Sequence, residues 1–249
     1  MKKFTFEKII KMKYLLSLLL WVTGVHAQHS KLKINHLSGN IYIYTTYKLF
    51  SGSLFPSNSL YMVTDDGVVL IDTPWDEAQF EPLLDSIKKR HSKNVVLCIV
   101  THYHDDRTAG LEFFRKRGIA TYSSKPTYDL CAEYKEKQAA HYFTKDTTFT
   151  VGGYKIDTFY PGEGHTKDNI TVWFAKDKVL YGGCLVKSVE NNSLGYIGDA
   201  NLEAWDDTIE TLLEKYPRIA YVIPGHFGWS KGRKSLKHTI KLLRKHEED

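Results

Sequence analysis

The apolar run Asn94-Val95-Val96-Leu97-Cys98-Ile99-Val100 leads directly into Thr101-His102-Tyr103-His104-Asp105-Asp106-Arg107, and this junction constrains the fold more than any other stretch of the chain. The run is short, continuous and rich in β-branched residues, which predicts a buried strand. A strand that ends in His-x-His-x-Asp delivers several ligand side chains to the carboxyl edge of a sheet. Zinc, a borderline-soft cation, takes nitrogen and oxygen donors of this kind at about 2.0–2.2 Å. The plainer alternative is a polar loop that happens to contain histidine.

Further donors recur along the chain. His165 sits in Pro161-Gly162-Glu163-Gly164-His165-Thr166, Cys184 in Gly182-Gly183-Cys184-Leu185, and His226 in Ile223-Pro224-Gly225-His226. Each follows an apolar or aromatic segment and lies in a glycine-containing turn, where short loops can aim side chains at a common point. Six donors exceed the three or four that one zinc needs, so two metals are the economical reading. His102, His104 and His165 make a neutral three-imidazole site. Asp106, Cys184 and His226 make a mixed site with two negative ligands. Three protein ligands and an open position at each are expected of catalytic zinc, and a water between the metals would lose a proton near neutral pH. This chemistry points to a hydrolase.

These residues resemble the metallo-β-lactamase fold, and in particular the zinc-dependent class B β-lactamases with a cysteine in the second site. The resemblance runs from about Leu32 to about Leu243. It is carried by Leu70-Ile71-Asp72-Thr73-Pro74-Trp75, the His-x-His-x-Asp-Arg stretch, Gly164-His165-Thr166-Lys167-Asp168-Asn169, Gly182-Gly183-Cys184-Leu185-Val186-Lys187 and Pro224-Gly225-His226. In the wider superfamily a second histidine follows the aspartate; Arg107 stands there in this chain.

The resemblance implies an α/β fold, a four-layer αββα sandwich with two mixed sheets face to face and helices outside. It implies two zinc ions and a zinc-bound hydroxide that attacks the lactam carbonyl of penicillins, cephalosporins and carbapenems, with antibiotic resistance as the outcome. The leaving amide nitrogen would be stabilised by the Asp106-Cys184-His226 zinc. Lys187 matches the family lysine that binds the drug's carboxylate, Asp72 a supporting carboxylate near the metal-bound imidazoles, and Arg107 a buried guanidinium beneath the metals. For Asp72 a helix N-cap role is the other reading. Asn169 and Thr166 are expected to support the His165 loop.

The same resemblance bears on two further regions. Many family members carry an asparagine, aimed at the lactam carbonyl, where this chain has Tyr196 in Asn191-Asn192-Ser193-Leu194-Gly195-Tyr196. Tyr196 could donate to the developing oxyanion or turn away, and Asn191 or Asn192 could stand in for the asparagine. Tyr47–Phe55 resembles the family's hairpin flap, between strands expected at 40–46 and 58–64, and Phe50 and Phe55 are its candidate substrate contacts.

The first 27 residues read as a cleaved secretory signal, leaving a single domain over 28–249. Five lysines precede or flank Tyr14–Val22, and Val25-His26-Ala27 offers a cleavage site; translation could start at Met1 or Met12. The apolar run is short for a membrane span, so a periplasmic enzyme without stable membrane association is expected. Five lysines and one glutamate make this segment +4, so the chain's +5 leaves the mature protein at about +1. That balance gives no basic field for nucleic acid, and the basic residues after Lys231 alternate with Leu236, Ile240, Leu242 and Leu243 as one face of an amphipathic helix. The resemblance implies small β-lactams as the partners, and the chain is expected to act as a monomer. Cys98 and Cys131 read as small packing residues, not a disulfide pair. Two other readings compete: a hydrolase of the same fold acting on a thioester, lactone or phosphodiester, and a secreted module that only binds a metal or small ligand.

The remaining pattern predicts strands near 32–37, 40–47, 58–64, 67–72, 95–100, 119–122, 147–150, 154–160, 170–175, 178–182 and 220–223. Helices are expected near 77–90, 107–116, 127–137, 203–215 and 232–246. Pro56-Ser57-Asn58 and Pro161-Gly162 read as loops.

Overall fold

The computed structural model describes residues 32–50 and 52–248, so the signal expected at 1–27 lies outside the described residues. Seven strands form the first sheet in chain order: β1 (Lys33–Ser38), β2 (Ile41–Phe50), β3 (Ser53–Val63), β4 (Val68–Ile71), β5 (Val95–Ile99), β6 (Ala120–Ser124) and β7 (His141–Phe143). It is mixed, antiparallel from β1 to β4 and parallel from β4 to β7. The second sheet has the order β13-β12-β11-β10-β9-β8, built from β8 (Thr148–Val151), β9 (Tyr154–Phe159), β10 (Thr171–Phe174), β11 (Val179–Gly183), β12 (Tyr221–Pro224) and β13 (Ser230–Lys231).

Side-chain alternation sorts the chain into layers. Ile41, Ile43, Leu60, Met62, Val69, Ile71, Leu97 and Ile99 meet Ile156, Val172, Phe174, Val179 and Ile223 between the sheets. The opposite parity, Tyr44, Tyr61, Val68, Leu70, Cys98 and Val100, faces Leu83, Ile87, Leu111 and Phe114. Leu83 and Ile87 belong to α1 (Phe80–His91), and Leu111 and Phe114 to α3 (Leu111–Lys116). On the far side, Leu180 and Val222 pack against α5 (Leu202–Lys215) and α6 (Lys234–Glu248) through Trp205, Ile209, Leu212, Leu236, Ile240 and Leu243. Period-two strands between 3.6-period helices can bury their apolar atoms only in such layers, and the result is the expected αββα sandwich. Among the described residues no helix is long and apolar enough to cross a membrane.

Several boundaries differ from expectation. The helix expected over 107–116 is two: α2 (Asp105–Thr108) carries the metal-loop residues, and a break at Ala109-Gly110 precedes α3. Gly110 is pressed against Thr73, where an added Cβ would lie 3.0 Å from the threonine Cβ. The helix expected to reach residue 137 is α4 (Lys125–Glu133), begun by Ser124, which accepts from the Thr127 amide. The short strands β7 and β13 add to those expected.

Pro56-Ser57-Asn58 is not a loop. It lies inside β3, with Tyr47 opposite Pro56 and Thr45 opposite Asn58. A residue's N–H and C=O leave a strand on the same side, and the Pro56 carbonyl accepts from His226 Nδ1 at 2.7 Å, away from β2. The missing proline N–H therefore costs no ladder bond, and β4 joins β3 only from Leu60 onward. The two strands also run on through the expected flap, pairing Lys48 with Phe55 and Phe50 with Ser53.

Candidate metal centre

β5 ends at Ile99, and Thr101 anchors the start of the loop that carries His102, His104 and Asp106. Its amide and hydroxyl both donate to Asp72, at 2.7 and 2.9 Å, while its carbonyl accepts from Ile170. That last bond ties the His102 loop to the loop between β9 and β10 that carries His165. Asn169 closes the latter, accepting from the Thr166 amide and donating to the Gly162 carbonyl, both at 2.9 Å. Cys184 follows β11 and His226 follows β12, which are parallel neighbours, and the Gly225 amide donates to the Gly183 carbonyl at 2.7 Å. Gly225 must be glycine, because a Cβ there would lie 2.6 Å from Cys184 Sγ and 2.8 Å from Arg107 Nη2.

Two clusters result. His102, His104 and His165 stand nearly perpendicular to one another, with ring centroids 4.9–5.1 Å apart and donor atoms all within 4.8 Å. Beside them, His226 Nε2 lies 3.3 Å from Cys184 Sγ and 3.2 Å from Asp106 Oδ2, with the sulfur and carboxylate 3.5 Å apart. Donors at zinc bond lengths of about 2.0–2.3 Å in a tetrahedron stand roughly 3.3–3.8 Å apart, so this triangle fits the cation. His102 also lies within 4.8 Å of Asp106 and Cys184, so the clusters adjoin.

Ring orientation agrees with this use. His104 Nε2 donates to Asp199 at 3.0 Å and His226 Nδ1 to Pro56, which leaves His104 Nδ1 and His226 Nε2 for the clusters. His102 Nε2 is buried with no hydrogen-bond partner. Burial, then neighbouring positive charge, holds the His102 and His165 pKa values well below the usual imidazole range. A neutral ring is the form a metal takes. For Asp106, burial would raise the pKa, but Arg107 and His226 overcome it and keep the carboxylate well below its usual range.

Arg107 is wholly buried beneath the second cluster. Nη2 donates to Asp106 at 2.8 Å, Cys184 at 3.1 Å and the Gly225 carbonyl at 3.0 Å, and Nη1 to the Asn58 carbonyl at 2.7 Å. Asp72 is 3.6 Å from the guanidinium and accepts from Tyr181 at 2.7 Å. Burial pushes its carboxyl up to about 6 against those partners. Asp72 thus braces Thr101, Tyr181 and Arg107, not an imidazole, and the N-cap of the turn that precedes α1 is Asp76.

The remaining sequence-expected residues divide. Lys187 is no solvated lysine: it is 8% exposed, with Nζ 5.0 Å over the Trp205 ring, and burial pushes its pKa down to about 8. Tyr196 is 63% exposed, with its ring edge-on to His104 at 5.9 Å between centroids and its hydroxyl against Gly198, so it lies at the rim of the three-histidine cluster. Asn192 is exposed on the same loop. On the other side of the clusters, Phe55 is half-buried against His226, with centroids 5.0 Å apart, and Phe50 is exposed and leans on Trp75 at 5.9 Å.

Sequence reading gave no role to Asp199, Trp75, Trp205, Tyr181 or Phe227. Asp199 had one available signal, since a metal-site imidazole needs an acceptor for its second nitrogen. The others act through contacts that leave no local pattern.

The metal-free cluster has a pH signature. Burial would lower the His226 pKa, but Cys184 and Asp106 raise it to about 9. A histidine whose folded pKa is raised contributes stability that is complete below about 6.5 and lost as pH rises through the folded value. Between pH 6.5 and 8 this contribution is expected to fall by on the order of 1–2 kcal/mol, read as the difference in urea unfolding between the metal-free protein and its His226→Gln variant. His102 and His165, with lowered pKa values, act in the opposite direction across the same window, and taking the difference cancels them. A difference that stays flat or widens as pH rises would contradict the protonated-His226 cluster.

Known proteins share this architecture. The Metallo-beta-lactamase superfamily model matches residues 52–226. A "Metallo-beta-lactamase type 2" of Elizabethkingia meningoseptica is 41% identical over 241 residues, 96% of each chain. Metallo-beta-lactamase IND-1 of Chryseobacterium indologenes is 43% identical, covering 84% of this chain and 87% of its own. Among solved structures, metallo-beta-lactamase IND-7 superposes with a TM-score of 0.83 at 40% identity, over 88% of this chain and all of the other. With the same two sheets, the same layers and matches of this length, the chain belongs to the metallo-β-lactamase superfamily.

Proposed function

We propose that this protein is a di-zinc β-lactamase that opens the amide of penicillins, cephalosporins and carbapenems, acts in the periplasm after removal of residues 1–27, and confers resistance. The observation that carries this reading is the pair of adjoining donor clusters built from loops of both sheets, in a chain 41–43% identical to proteins named as metallo-β-lactamases. His102, His104 and His165 would hold one zinc and Asp106, Cys184 and His226 the other. Zinc so held supplies a Lewis acid that polarises a carbonyl and brings the pKa of water near neutrality.

This chain's own residues do the rest. Asp199 and Pro56 fix the faces of His104 and His226, and Arg107 keeps Asp106 ionised and Cys184 in a cationic field. Lys187, its ammonium 5.0 Å over the Trp205 ring, offers a positive charge to the substrate carboxylate. Phe50, Phe55, Trp75 and Phe227 form an apolar wall that excludes water from the side of His226.

The test is turnover of a chromogenic cephalosporin and of a carbapenem by the purified protein as isolated, after chelation and after zinc is returned. Turnover lost with the chelator and restored by zinc, at two zincs per chain by metal analysis, is expected. Absence of turnover with two zincs bound refutes the β-lactam assignment. Lys187→Ala is expected to raise KM by about 10–100-fold with kcat little changed, the signature of a lost charge-assisted contact to bound substrate. Equal losses in kcat and kcat/KM would place the lysine elsewhere in the reaction.

A further inference from the structure

Phe227 follows His226 with φ at +62°, a conformation that glycine adopts freely and a bulky aromatic residue avoids. Such a residue persists only where its surroundings over-determine it. The loop between β12 and β13 is clamped from two sides. Asn58 Nδ2 donates to the Phe227 carbonyl at 2.6 Å and to the Pro224 carbonyl at 3.1 Å, while Glu190 accepts from the Gly228 amide at 3.1 Å. The backbone so held sets the Phe227 ring edge-on to Phe55, with centroids 5.1 Å apart and planes at 81°. Phe55 belongs to the distal half of the β2–β3 hairpin, where Leu49 and Phe50 are more than half exposed and β4 gives no support. The hairpin also touches the body through Phe55 on His226 and Trp75, with centroids 5.0 and 6.4 Å apart, Phe50 on Trp75, Lys48 Nζ 4.9 Å over the same indole, Lys48 on Asp105 at 2.9 Å, and two hydrogen bonds between the Tyr47 backbone and Gln79.

We infer that Phe227 is a positioning residue: its strained backbone presents an aromatic post on which Phe55 docks, and this contact sets the resting position of the hairpin over the metal clusters. The hairpin lacks a third strand along this length, and a two-stranded ribbon is marginal alone, so each aromatic contact of Phe55 bears on its equilibrium, and the Phe227 pair is the one set by a strained backbone. Strain in the backbone is exchanged for pre-organisation of the apolar wall. The consequence for substrate rests on the β-lactamase reading; the docking itself does not.

Amide hydrogen exchange of the zinc-loaded protein separates the two. Phe227→Ala removes the ring and keeps a side chain that disfavours positive φ, Phe227→Gly removes ring and strain together, and Phe227→Tyr keeps the ring. In both truncations the amides of residues 47–50, 52–55 and 57 are expected to exchange about three- to tenfold faster, with the β4–β6 amides unchanged and Phe227→Tyr like the parent. Thermal midpoints should rank Gly above Ala, which a role in packing alone does not produce. For the chromogenic cephalosporin, KM should rise several-fold in both truncations while kcat holds. Hairpin exchange unchanged in both truncations overturns the inference whatever the kinetics show. Faster hairpin exchange in a protein without β-lactam turnover would leave the docking in place and remove only the proposed substrate.

Discussion

Replacing Arg107 with methionine is expected to cost the metal-free protein about 3–5 kcal/mol in urea unfolding, more than any surface substitution. The side chain is fully buried, and its guanidinium satisfies Asp106, Cys184, two backbone carbonyls and, at 3.6 Å, Asp72. Methionine fills most of the volume but strands two buried carboxylates and a thiol without their counter-charge. Removing one partner of a buried charge network is what makes it expensive, because the remaining charges keep their desolvation cost. Arg107→Lys should recover only part of the loss, since an ammonium cannot reproduce a planar fork that reaches β3 and the two metal loops at once. Restored zinc should narrow the deficit by supplying positive charge above the same groups. A change below about 1 kcal/mol in the metal-free protein would show that the cluster is not held together by this charge.

Asp106→Asn is the second large effect, and it separates metal binding from packing. The carboxylate stands at the junction of the clusters, 4.0 Å from His102, 3.2 Å from His226 and 2.8 Å from Arg107. Asparagine keeps the shape and removes the charge, so the Arg107 guanidinium loses its closest anion. Zinc affinity at the Asp106-Cys184-His226 cluster is expected to fall by at least about 100-fold, beyond the range seen when only a supporting group is altered. The three-histidine cluster should retain its metal. Competition titration with a zinc chelator, read together with metal content, should therefore show one tight site and one lost. Two sites of unchanged affinity would mean that Asp106 is not a ligand.

Most of the layered fold was legible because burial imposes period two on strands and 3.6 on helices. Val95–Ile99 and the 202–215 helix sit within a residue or two of expectation. Pro56-Ser57-Asn58 departs from its loop reading because turn-forming residues also suit a strand that is half an edge. The pairing partner and the direction of the Pro56 carbonyl are settled only when β12 brings His226 alongside. The helix expected at 107–116 breaks at Gly110 for a similar reason: the break is set by Thr73, 37 residues away, whose hydroxyl accepts from the Gly110 amide. Tyr196 was visible as a departure from the family's pattern, but not its direction. Its ring meets His104 edge-on, a contact between residues 92 apart in the chain.

By itself, the sequence determined the chemistry: which donors exist, that they follow strands or lie in glycine turns, and that a lone Arg107 accompanies them. Ligand identity is a property of side chains, and strand ends are a property of local hydrophobic pattern, so both survive in one dimension. Tertiary structure alone decided the facing of each donor and its surroundings. His104 turns one nitrogen to Asp199, Lys187 lies buried over Trp205, and Phe227 meets Phe55 from 172 residues away. Those contacts depend on distances of a few ångströms between segments far apart in the chain, where packing is close and desolvation decides the cost of each charge.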